Sequence, residues 1–426
     1  MPLYTSELAR ALAPGLLERF ERYVRIDTQA ARERTASPSS PGQLELGRVL
    51  VSDLHAAGLH DAAIDDNGYV TATLPATGAD APVIGLIAHM DTSPDAPGAG
   101  VEPIVHRGYD GAVIALPREE TRLDPETMPE LAAKHGHDIV TSSGDTLLGA
   151  DDKAGVAEIV TAVAHLAAHP ELPRPTLRVA FTPDEEIGLG PKLFDIEAFG
   201  ASCAYTIDGS EIGEIQDESF SAIEVRIIVR GVDVHPGTAH GKLVNALRVL
   251  AAIVAALPSD RLSPETTSGR QGFIHPHLLE GDAGRAELRV ILRDFDEDLL
   301  EAHVALLRSL TDQAVAARPG ARADFDVRTQ YRNMKAFIAP EPQIVAAAEA
   351  ALRAEGIEPV RTAIRGGTDG SQLSAMGLPT PTLFTGGHEY HSVREWASIN
   401  DMAAAAATIV RLAGVWSQHG NGTAPA

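Results

Sequence analysis

The sequence predicts an α/β domain built on a mixed, mostly parallel sheet and interrupted by a ferredoxin-like α+β module. Two domains are expected because the chain has 426 residues, and a single hydrophobic core stops growing at about 250–300 residues. Short apolar runs alternate with helical patterns before residue 219 and after residue 334, which is typical of a sheet with crossover helices. We therefore expect residues 1–218 and 335–426 to form one domain, interrupted by an inserted domain at 219–334.

The elements of the first domain are read from apolar runs and their spacing. Residues 83–88 are almost entirely apolar and predict a buried strand. Residues 153–168 predict a helix, because their apolar side chains recur at spacings of three and four. Similar patterns predict strands at 176–181, 204–207 and 381–384, and helices at 344–355 and 401–412.

The inserted domain has a different order of elements. Alternating and helical patterns predict strand, helix, strand, strand, helix, strand, at 221–229, 243–256, 272–279, 285–295, 297–317 and 323–330. This order is that of the split βαβ, or ferredoxin-like, arrangement. We therefore expect an antiparallel sheet that folds separately from the first domain.

Composition and charge exclude several classes of protein. The formal net charge is -24, which argues against nucleic acid as a partner because binding phosphates requires clustered Lys and Arg. Cys203 is the single cysteine, so no intrachain disulfide can form and a reducing cytoplasm is favoured. No stretch approaches the roughly 20 apolar residues that cross a membrane, so we expect a cytoplasmic protein without a membrane partner.

Polar residues follow four of the predicted strands of the first domain. Ligands of open α/β sheets bind beyond the carboxyl ends of the strands, so these residues are the first candidates for a functional site. They are His89 and Asp91 after the first strand, Glu185 and Glu186 after the second, Asp208 after the third, and His388 and His391 after the last. All are expected at the same edge of the sheet.

Two pairs of residues have the spacing of metal ligands and their supports. His89 and Asp91 are two apart, so both project from one face of a strand and Asp91 can orient the His89 ring. A satisfied structural histidine is the alternative. Asp151 and Asp152 precede the helix at 153–168, where an aspartate often caps the helix. A pair of adjacent carboxylates is more than capping needs, and a bound cation explains the excess.

Glu185 and Glu186 are neighbouring carboxylates that point in different directions. One can hold a metal while the other takes a proton from water, which is the division that metal-assisted hydrolysis needs. A solvated turn is the alternative for an isolated pair. The position directly after a strand favours the functional interpretation.

Taken together, these segments resemble those of the peptidase T family, the cytoplasmic tripeptide aminopeptidases of the dizinc exopeptidase superfamily. The matching segments are IAHMDTSPD, LLGADDKAG, FTPDEEIG, YTIDG, VDVHPGTAHG, IRGGTDG and FTGGHEYHS. They occur in the same order from about residue 44 to residue 412. The resemblance implies a catalytic domain of the zinc-exopeptidase type and an inserted lid domain.

The resemblance also implies a role for each matching residue at the metal centre. It implies two Zn²⁺ ions, although Mn²⁺ or Co²⁺ would accept the same donors. The implied ligands are His89, Asp151, Glu186, Asp208 and His391, with Asp151 bridging both ions. Asp91 would support His89, Glu185 would be the general base, and the Asp151–Asp152 peptide would be cis.

The inserted domain and the segment after it supply the implied substrate contacts. His235 would stabilise the developing oxyanion, and Arg293 and Arg365, assisted by Asn333, would bind the substrate carboxylate. For Arg293 the alternative is an ion pair with Asp294 or Asp296. A fixed distance between the metals and the arginines would select tripeptides over shorter or longer peptides.

Alternatives and open points accompany this interpretation. An amide hydrolase of the same superfamily would act on dipeptides or N-acylated amino acids, and a metal-binding or assembly protein would lack catalysis. His388 is a second candidate ligand beside His391. An exposed strand edge of the inserted domain is expected to allow a homodimer, which the acidic charge of the chain opposes.

Overall fold

The computed structural model describes residues 3–33, 35–78 and 81–418. The chain divides into two compact units. The first comprises Met1–Asp217, Ala336–Thr362 and Thr368–Ala426, and the second comprises Glu218–Lys335 and Ala363–Gly367. Residues 363–367 therefore pack with the second unit, a placement that the sequence pattern does not indicate.

The strands of both units follow in chain order. They are β1 (Ala63–Ile64), β2 (Val70–Leu74), β3 (Ile84–His89), β4 (Ile104–His106), β5 (Ile114–Ala115), β6 (Arg122–Leu123), β7 (Ile139–Thr141), β8 (Leu177–Thr182), β9 (Cys203–Gly209), β10 (Glu214–Ser219), β11 (Ser221–Arg230), β12 (Phe273–Gly281), β13 (Arg285–Asp294), β14 (Arg322–Tyr331), β15 (Val360–Ile364), β16 (Thr382–Phe384), β17 (Gly387–His388) and β18 (Trp396–Ser398).

The α-helices are numbered in the same way. They are α1 (Glu7–Val24), α2 (Pro41–Ala56), α3 (Pro129–Ala132), α4 (Ala150–Ala168), α5 (Ile196–Phe199), α6 (Ala246–Ala256), α7 (Glu297–Ala316), α8 (Lys335–Ile338), α9 (Gln343–Ala354), α10 (Asp369–Ala375) and α11 (Ile399–Trp416). Among the described residues, none of these helices combines the length and the apolar character that crossing a bilayer requires.

The largest sheet has eight strands in the order β1-β2-β8-β3-β9-β16-β10-β15. Its centre is parallel, because β3 pairs in parallel with β8 and β9, and β9 pairs in parallel with β16. Antiparallel pairs flank this centre. The predicted mixed, mostly parallel sheet is confirmed, and the carboxyl ends of its four central strands meet at one edge.

Helix α4 lies close against this sheet and brings its first residues to the same edge. The helix is buried along most of its length and packs on β3, β9 and the long helices α1 and α11. Gly155 permits the close approach, because a Cβ atom at this position would lie 1.8 Å from the Ile207 carbonyl oxygen. The start of α4 is therefore held beside the strand that carries Asp208.

The second unit contains the sheet β12-β13-β11-β14, in which every pair is antiparallel. Its apolar core lies between this sheet and helices α6 and α7, and includes Val225, Leu250, Leu288 and Leu307. The chain order of strand, helix, strand, strand, helix, strand is the predicted ferredoxin-like order, which is confirmed.

Candidate active site

The four central strands of the large sheet end in polar side chains. His89 is the last residue of β3, and Asp208 lies near the end of β9. A short 3-10 turn at Glu185–Ile187 follows β8, and the loop that carries His391 follows β16. The edge predicted from the sequence is therefore the place where these side chains gather.

Asp151 lies at the centre of this cluster and contacts two histidines with its two oxygens. Its Oδ1 is 2.9 Å from His89 Nε2, and its Oδ2 is 3.2 Å from His391 Nε2. Asp208 Oδ1 lies 3.7 Å from His89 Nε2, and Glu186 Oε2 lies 3.0 Å from His391 Nε2. Two groups of three donors, each within 4.8 Å of one another, therefore share Asp151.

The His89 ring and backbone are both fixed by buried aspartates. Its Nδ1 lies 3.1 Å from the Asp91 carbonyl oxygen and 3.4 Å from Asp91 Oδ1, which directs Nε2 towards Asp151. The His89 backbone N–H donates to Asp152 Oδ2 at 3.1 Å. Asp152 Oδ1 also accepts from Gly155 N at 3.2 Å, so Asp152 caps the helix as well as holding His89. The peptide between Asp151 and Asp152 is cis, as the family resemblance implies.

Asp91 has a second set of contacts that the sequence does not reveal. Its carboxylate accepts the backbone N–H groups of Glu185 at 2.9 Å and Glu186 at 3.1 Å. The turn before them is fixed by Asp184, which has φ 60° and accepts hydrogen bonds from Ser39 N. Asp91 therefore positions both glutamates as well as His89.

Burial and crowded charge determine the protonation of the cluster. Burial raises the pKa of Glu185 well above its ordinary value, and burial followed by repulsion from Asp151 raises that of Glu186 to about 8. Hydrogen bonds with Asp151 and Glu186 raise the pKa of His391 to about 11. Although burial opposes it, hydrogen bonds from His391 and His89 lower the pKa of Asp151. The concentration of buried carboxylates favours the binding of cations, which compensate their negative charge.

The donor atoms fit a pair of divalent cations. Glu186 Oε1 is buried and has no hydrogen-bond partner among the described residues, although Oε2 of the same group contacts His391. An orphaned buried carboxylate oxygen is costly unless another charge satisfies it. The mixture of imidazole nitrogen and carboxylate oxygen is the donor set that zinc and related ions accept.

Two buried carboxylic acids beside the cluster escaped the sequence prediction. Glu395 accepts three backbone N–H groups of the segment that ends at Asp151, and burial raises its pKa to about 7. Asp369, at the start of α10, accepts a hydrogen bond from Thr182 Oγ1 at 2.6 Å, and burial raises its pKa to about 7. Neither follows an apolar strand run, so the strand-end pattern does not predict either of them.

His388 belongs to neither donor group. Its ring stacks on Trp396 with centroids 4.2 Å apart, and its Nδ1 lies 3.2 Å from Ser210 Oγ. Burial lowers the pKa of His388 to about 4, so the ring is neutral at pH 7. The ambiguity between the two histidines of this loop is resolved by geometry, since only His391 contacts Asp151.

The second unit brings Arg293 and Arg365 together. Arg293 Nη1 donates to the Arg365 carbonyl oxygen at 3.2 Å, and its buried Nε has no hydrogen-bond partner among the described residues. The Arg365 guanidinium donates to the carbonyl oxygens of Thr267, Gly269 and Gln271 at 2.8–3.3 Å. Arg365 therefore holds the loop at 267–271, whereas Arg293 retains a donor for a ligand.

The alternative partners of Arg293 are engaged elsewhere. Asp294 Oδ2 lies 2.9 Å from His303 Nε2, and Asp296 caps helix α7 by accepting from Leu299 N. Asn333 is buried, and its amide accepts from Ser219 N at 3.2 Å and donates to the Phe295 carbonyl oxygen at 3.2 Å. These contacts give Asn333 a role in the shape of the second unit.

His235 lies on an exposed turn of the second unit. It precedes the 3-10 turn at Pro236–Thr238, and its Nδ1 accepts the Gly237 backbone N–H at 3.1 Å. A neutral ring with Nδ1 as acceptor carries its proton on Nε2. The exposed nitrogen of His235 is therefore a hydrogen-bond donor.

The α/β fold gathers two groups of metal donors around one shared aspartate, and a further glutamate lies alongside them. These features define a hydrolase of the two-metal class. The model of peptidase family M20/M25/M40 matches residues 145–414. Peptidase T of Bacillus subtilis is 46% identical over 400 residues, covering 93% of this chain and 97% of that protein. Peptidase T of Vibrio parahaemolyticus is 45% identical, with coverage of 93% and 97%. The chain therefore belongs to this peptidase family, in the group that relatives named peptidase T form.

Solved structures agree with this assignment. The aminopeptidase PepT from Bacillus cereus has a TM-score of 0.75 and 25% identity, covering 95% of this chain and 99% of that chain. A tripeptidase from Staphylococcus aureus has the same TM-score of 0.75 at 21% identity, covering 96% and 99%, and shows the shared fold alone. The resemblance to the peptidase T family is thus confirmed.

Proposed function

We propose that the chain is an aminopeptidase that removes the N-terminal residue from tripeptides with the aid of two zinc ions. The observation that carries the proposal is Asp151, whose two oxygens face two separate groups of metal donors beside the buried Glu185. The substrate class is supported by the relatives named peptidase T, which are 45% and 46% identical, and by the similar Bacillus cereus protein, which is described as an aminopeptidase.

Each donor group would hold one ion, and Asp151 would serve both. His89 and Asp208 would complete the first site, and Glu186 and His391 would complete the second. When bound, the two ions would supply Lewis acidity that polarises the scissile carbonyl and acidifies water. Zn²⁺ fits the nitrogen and oxygen donors best, and Mn²⁺ or Co²⁺ would accept the same set.

Glu185 would move the proton. Its backbone is fixed by Asp91, its neighbour Glu186 faces His391, and burial raises its pKa above the ordinary range. A carboxylate of raised pKa accepts a proton from the attacking water and returns it to the departing nitrogen when the peptide C–N bond breaks. Asp91 would therefore have two roles. It would orient the metal ligand His89, and it would place the general base Glu185.

The second unit would supply the contacts that recognise the peptide. Arg293 would bind the C-terminal carboxylate through its guanidinium, whose Nε has no hydrogen-bond partner among the described residues. Asn333 and Arg365 would shape its surroundings, because their polar groups already bond to neighbouring segments. His235 would donate from Nε2 to the developing oxyanion.

A panel of peptides tests this function. We expect a free tripeptide to be cleaved with a kcat/KM at least about tenfold above those of the matching dipeptide, tetrapeptide and N-acetyl tripeptide. Arg293→Gln should raise the KM for the free tripeptide about 10- to 100-fold, as expected for loss of a charge-assisted hydrogen bond. The same variant should leave the KM for the C-terminal amide nearly unchanged.

Arg328→Gln is the matched control, because Arg328 is an exposed arginine of the same unit that pairs with Asp326. It should leave both KM values unchanged. Faster cleavage of the dipeptide or of N-acylated amino acids than of the tripeptide would instead favour the amide hydrolase alternative.

Metal uptake is expected to strengthen as pH rises. At pH 7 the metal-free protein holds a proton on His391, because hydrogen bonds with Asp151 and Glu186 raise its pKa to about 11. That proton must leave before His391 binds a cation, so affinity should rise up to about tenfold per pH unit. Titration calorimetry at pH 6, 7 and 8, in buffers of different ionisation enthalpy, measures the metal affinity and the number of protons released. Affinity that does not change with pH would contradict the assignment of this ligand.

The remaining features of the proposal concern location and assembly. The single cysteine, Cys203, is buried and reduced, which suits the cytoplasm. Strand β14 is an edge of the second unit's sheet, and Val327 on it is 40% exposed, so this edge is the surface we propose for a homodimer.

A further inference from the structure

A buried carboxylate outside the two donor groups collects three backbone N–H groups. Glu395 is 1% exposed. Its Oε2 accepts from Leu148 N and Gly149 N, both at 2.7 Å, and its Oε1 accepts from Asp151 N at 3.0 Å. The carboxylate therefore holds the segment that presents Asp151, although it lies more than 240 residues further along the chain.

The segment at 148–151 needs such an anion to keep its shape. Gly149 has φ 83°, a left-handed conformation, and it lies within a run of N–H groups directed at one point. Successive N–H groups that converge in this way form a concavity that attracts an anion. The Glu395 carboxyl group fills this concavity from within the protein, as the acceptor of all three N–H groups.

Glu395 also belongs to the loop that carries His391. Only three residues separate them, and Glu395 N donates to Ser392 O at 3.2 Å, which closes a turn between them. Directly after Glu395, strand β18 begins and pairs Trp396 with Thr141 of β7. One side chain thus connects the loop of His391 with the segment of Asp151, two residues of the same donor group.

We infer that Glu395 is a positioning residue that sets the separation of Asp151 from His391, and thereby the affinity of the second metal site. This inference rests on the proposed metal-binding function. Glu395 acts through the backbone, because its side-chain oxygens bond to the N–H groups of Leu148, Gly149 and Asp151 and not to a metal-donor atom. The first site should depend on it less, because His89 and Asp208 are placed by strands β3 and β9.

The test is Glu395→Gln, measured by titration of the whole chain with Zn²⁺ against a competing chelator. The amide oxygen can replace Oε2, but the amide NH₂ then faces the Asp151 N–H, and two donors oppose each other. We expect the zinc-binding step that His391→Asn removes to lose at least about tenfold in affinity, and the other step to change less than about threefold. Saturating zinc should restore most of kcat with an unchanged KM.

Glu355→Gln is the matched control. Glu355 is also 1% exposed, accepts a hydrogen bond from Thr5 Oγ1 at 2.9 Å and pairs with Arg411 at 3.1 Å. It contacts neither donor group, so its variant should lower the melting temperature and leave both zinc affinities unchanged. A Glu395→Gln protein that behaves in the same way would overturn the inference.

Glu395→Asp is a second variant, which tests the inference if Glu395→Gln fails to fold. Glu395→Asp keeps the carboxyl group but withdraws it from the three N–H groups, and the same selective loss in the step that depends on His391 is expected. Unchanged zinc binding by that variant would also overturn the inference. Because the readout is metal affinity, a wild-type chain that binds two zinc ions without cleaving tripeptides would refute the proposed function alone.

Discussion

Glu185→Gln should lower kcat by about 10²- to 10⁴-fold and leave the binding of two metal ions intact. The carboxylate is expected to accept and return the proton in the reaction, and an amide cannot take that role. Its backbone N–H donates to Asp91, and that contact survives the substitution, so the turn that carries Glu186 should keep its shape. Steady-state kinetics together with metal analysis measures both effects.

Glu197→Gln provides the comparison for this variant. Glu197 is an exposed residue in the first turn of α5, so its substitution should change neither quantity. Turnover by Glu185→Gln within tenfold of the wild type would rule out Glu185 as the base. Loss of the metal ions would instead make it a ligand.

Asp151→Asn should weaken both metal sites at once, with a fall in kcat of about 10⁴-fold or more. Asp151 is the residue that both donor groups share, and its two oxygens face two different histidines. An amide offers one weaker acceptor and a nitrogen that cannot bind a cation. Metal analysis after dialysis is therefore expected to find fewer than one ion per chain.

His391→Asn is the informative comparison, because His391 contacts only one of the two groups. This variant should retain about one ion per chain, held by His89, Asp151 and Asp208. Equal metal loss in the two variants would contradict the shared role of Asp151. Full occupancy in Asp151→Asn would remove the basis of the two-metal proposal.

The fold was largely predictable because its core strands are apolar and continuous. β3, β8, β9 and β16 begin and end within one or two residues of the predicted runs. Strands β10 and β15, the last two in the order of the sheet, are not among the predicted elements. Their polar and partly exposed residues resemble loop sequence, and their pairing depends on segments far away in the chain.

The backbone contacts of Arg365 and Glu395 are not predictable from local sequence patterns. Arg365 is predicted to bind a carboxylate, and its guanidinium also donates to carbonyl groups of the loop at 267–271. The sequence gives no sign of this, because backbone carbonyls are present at every residue. The same limit hid the role of Glu395, whose partners are three backbone N–H groups.

The amino-acid sequence by itself determined which kinds of side chain stand at the ends of the central strands. Strand periodicity and the parallel order of an α/β sheet carry that information locally. The tertiary structure alone decided that Asp151 faces two histidines, that His388 turns away, and that Glu395 ties Asp151 to the loop of His391. Most of these outcomes depend on distances between segments far apart in the chain, such as the 240 positions between Asp151 and His391, and such distances are fixed only when the core packs.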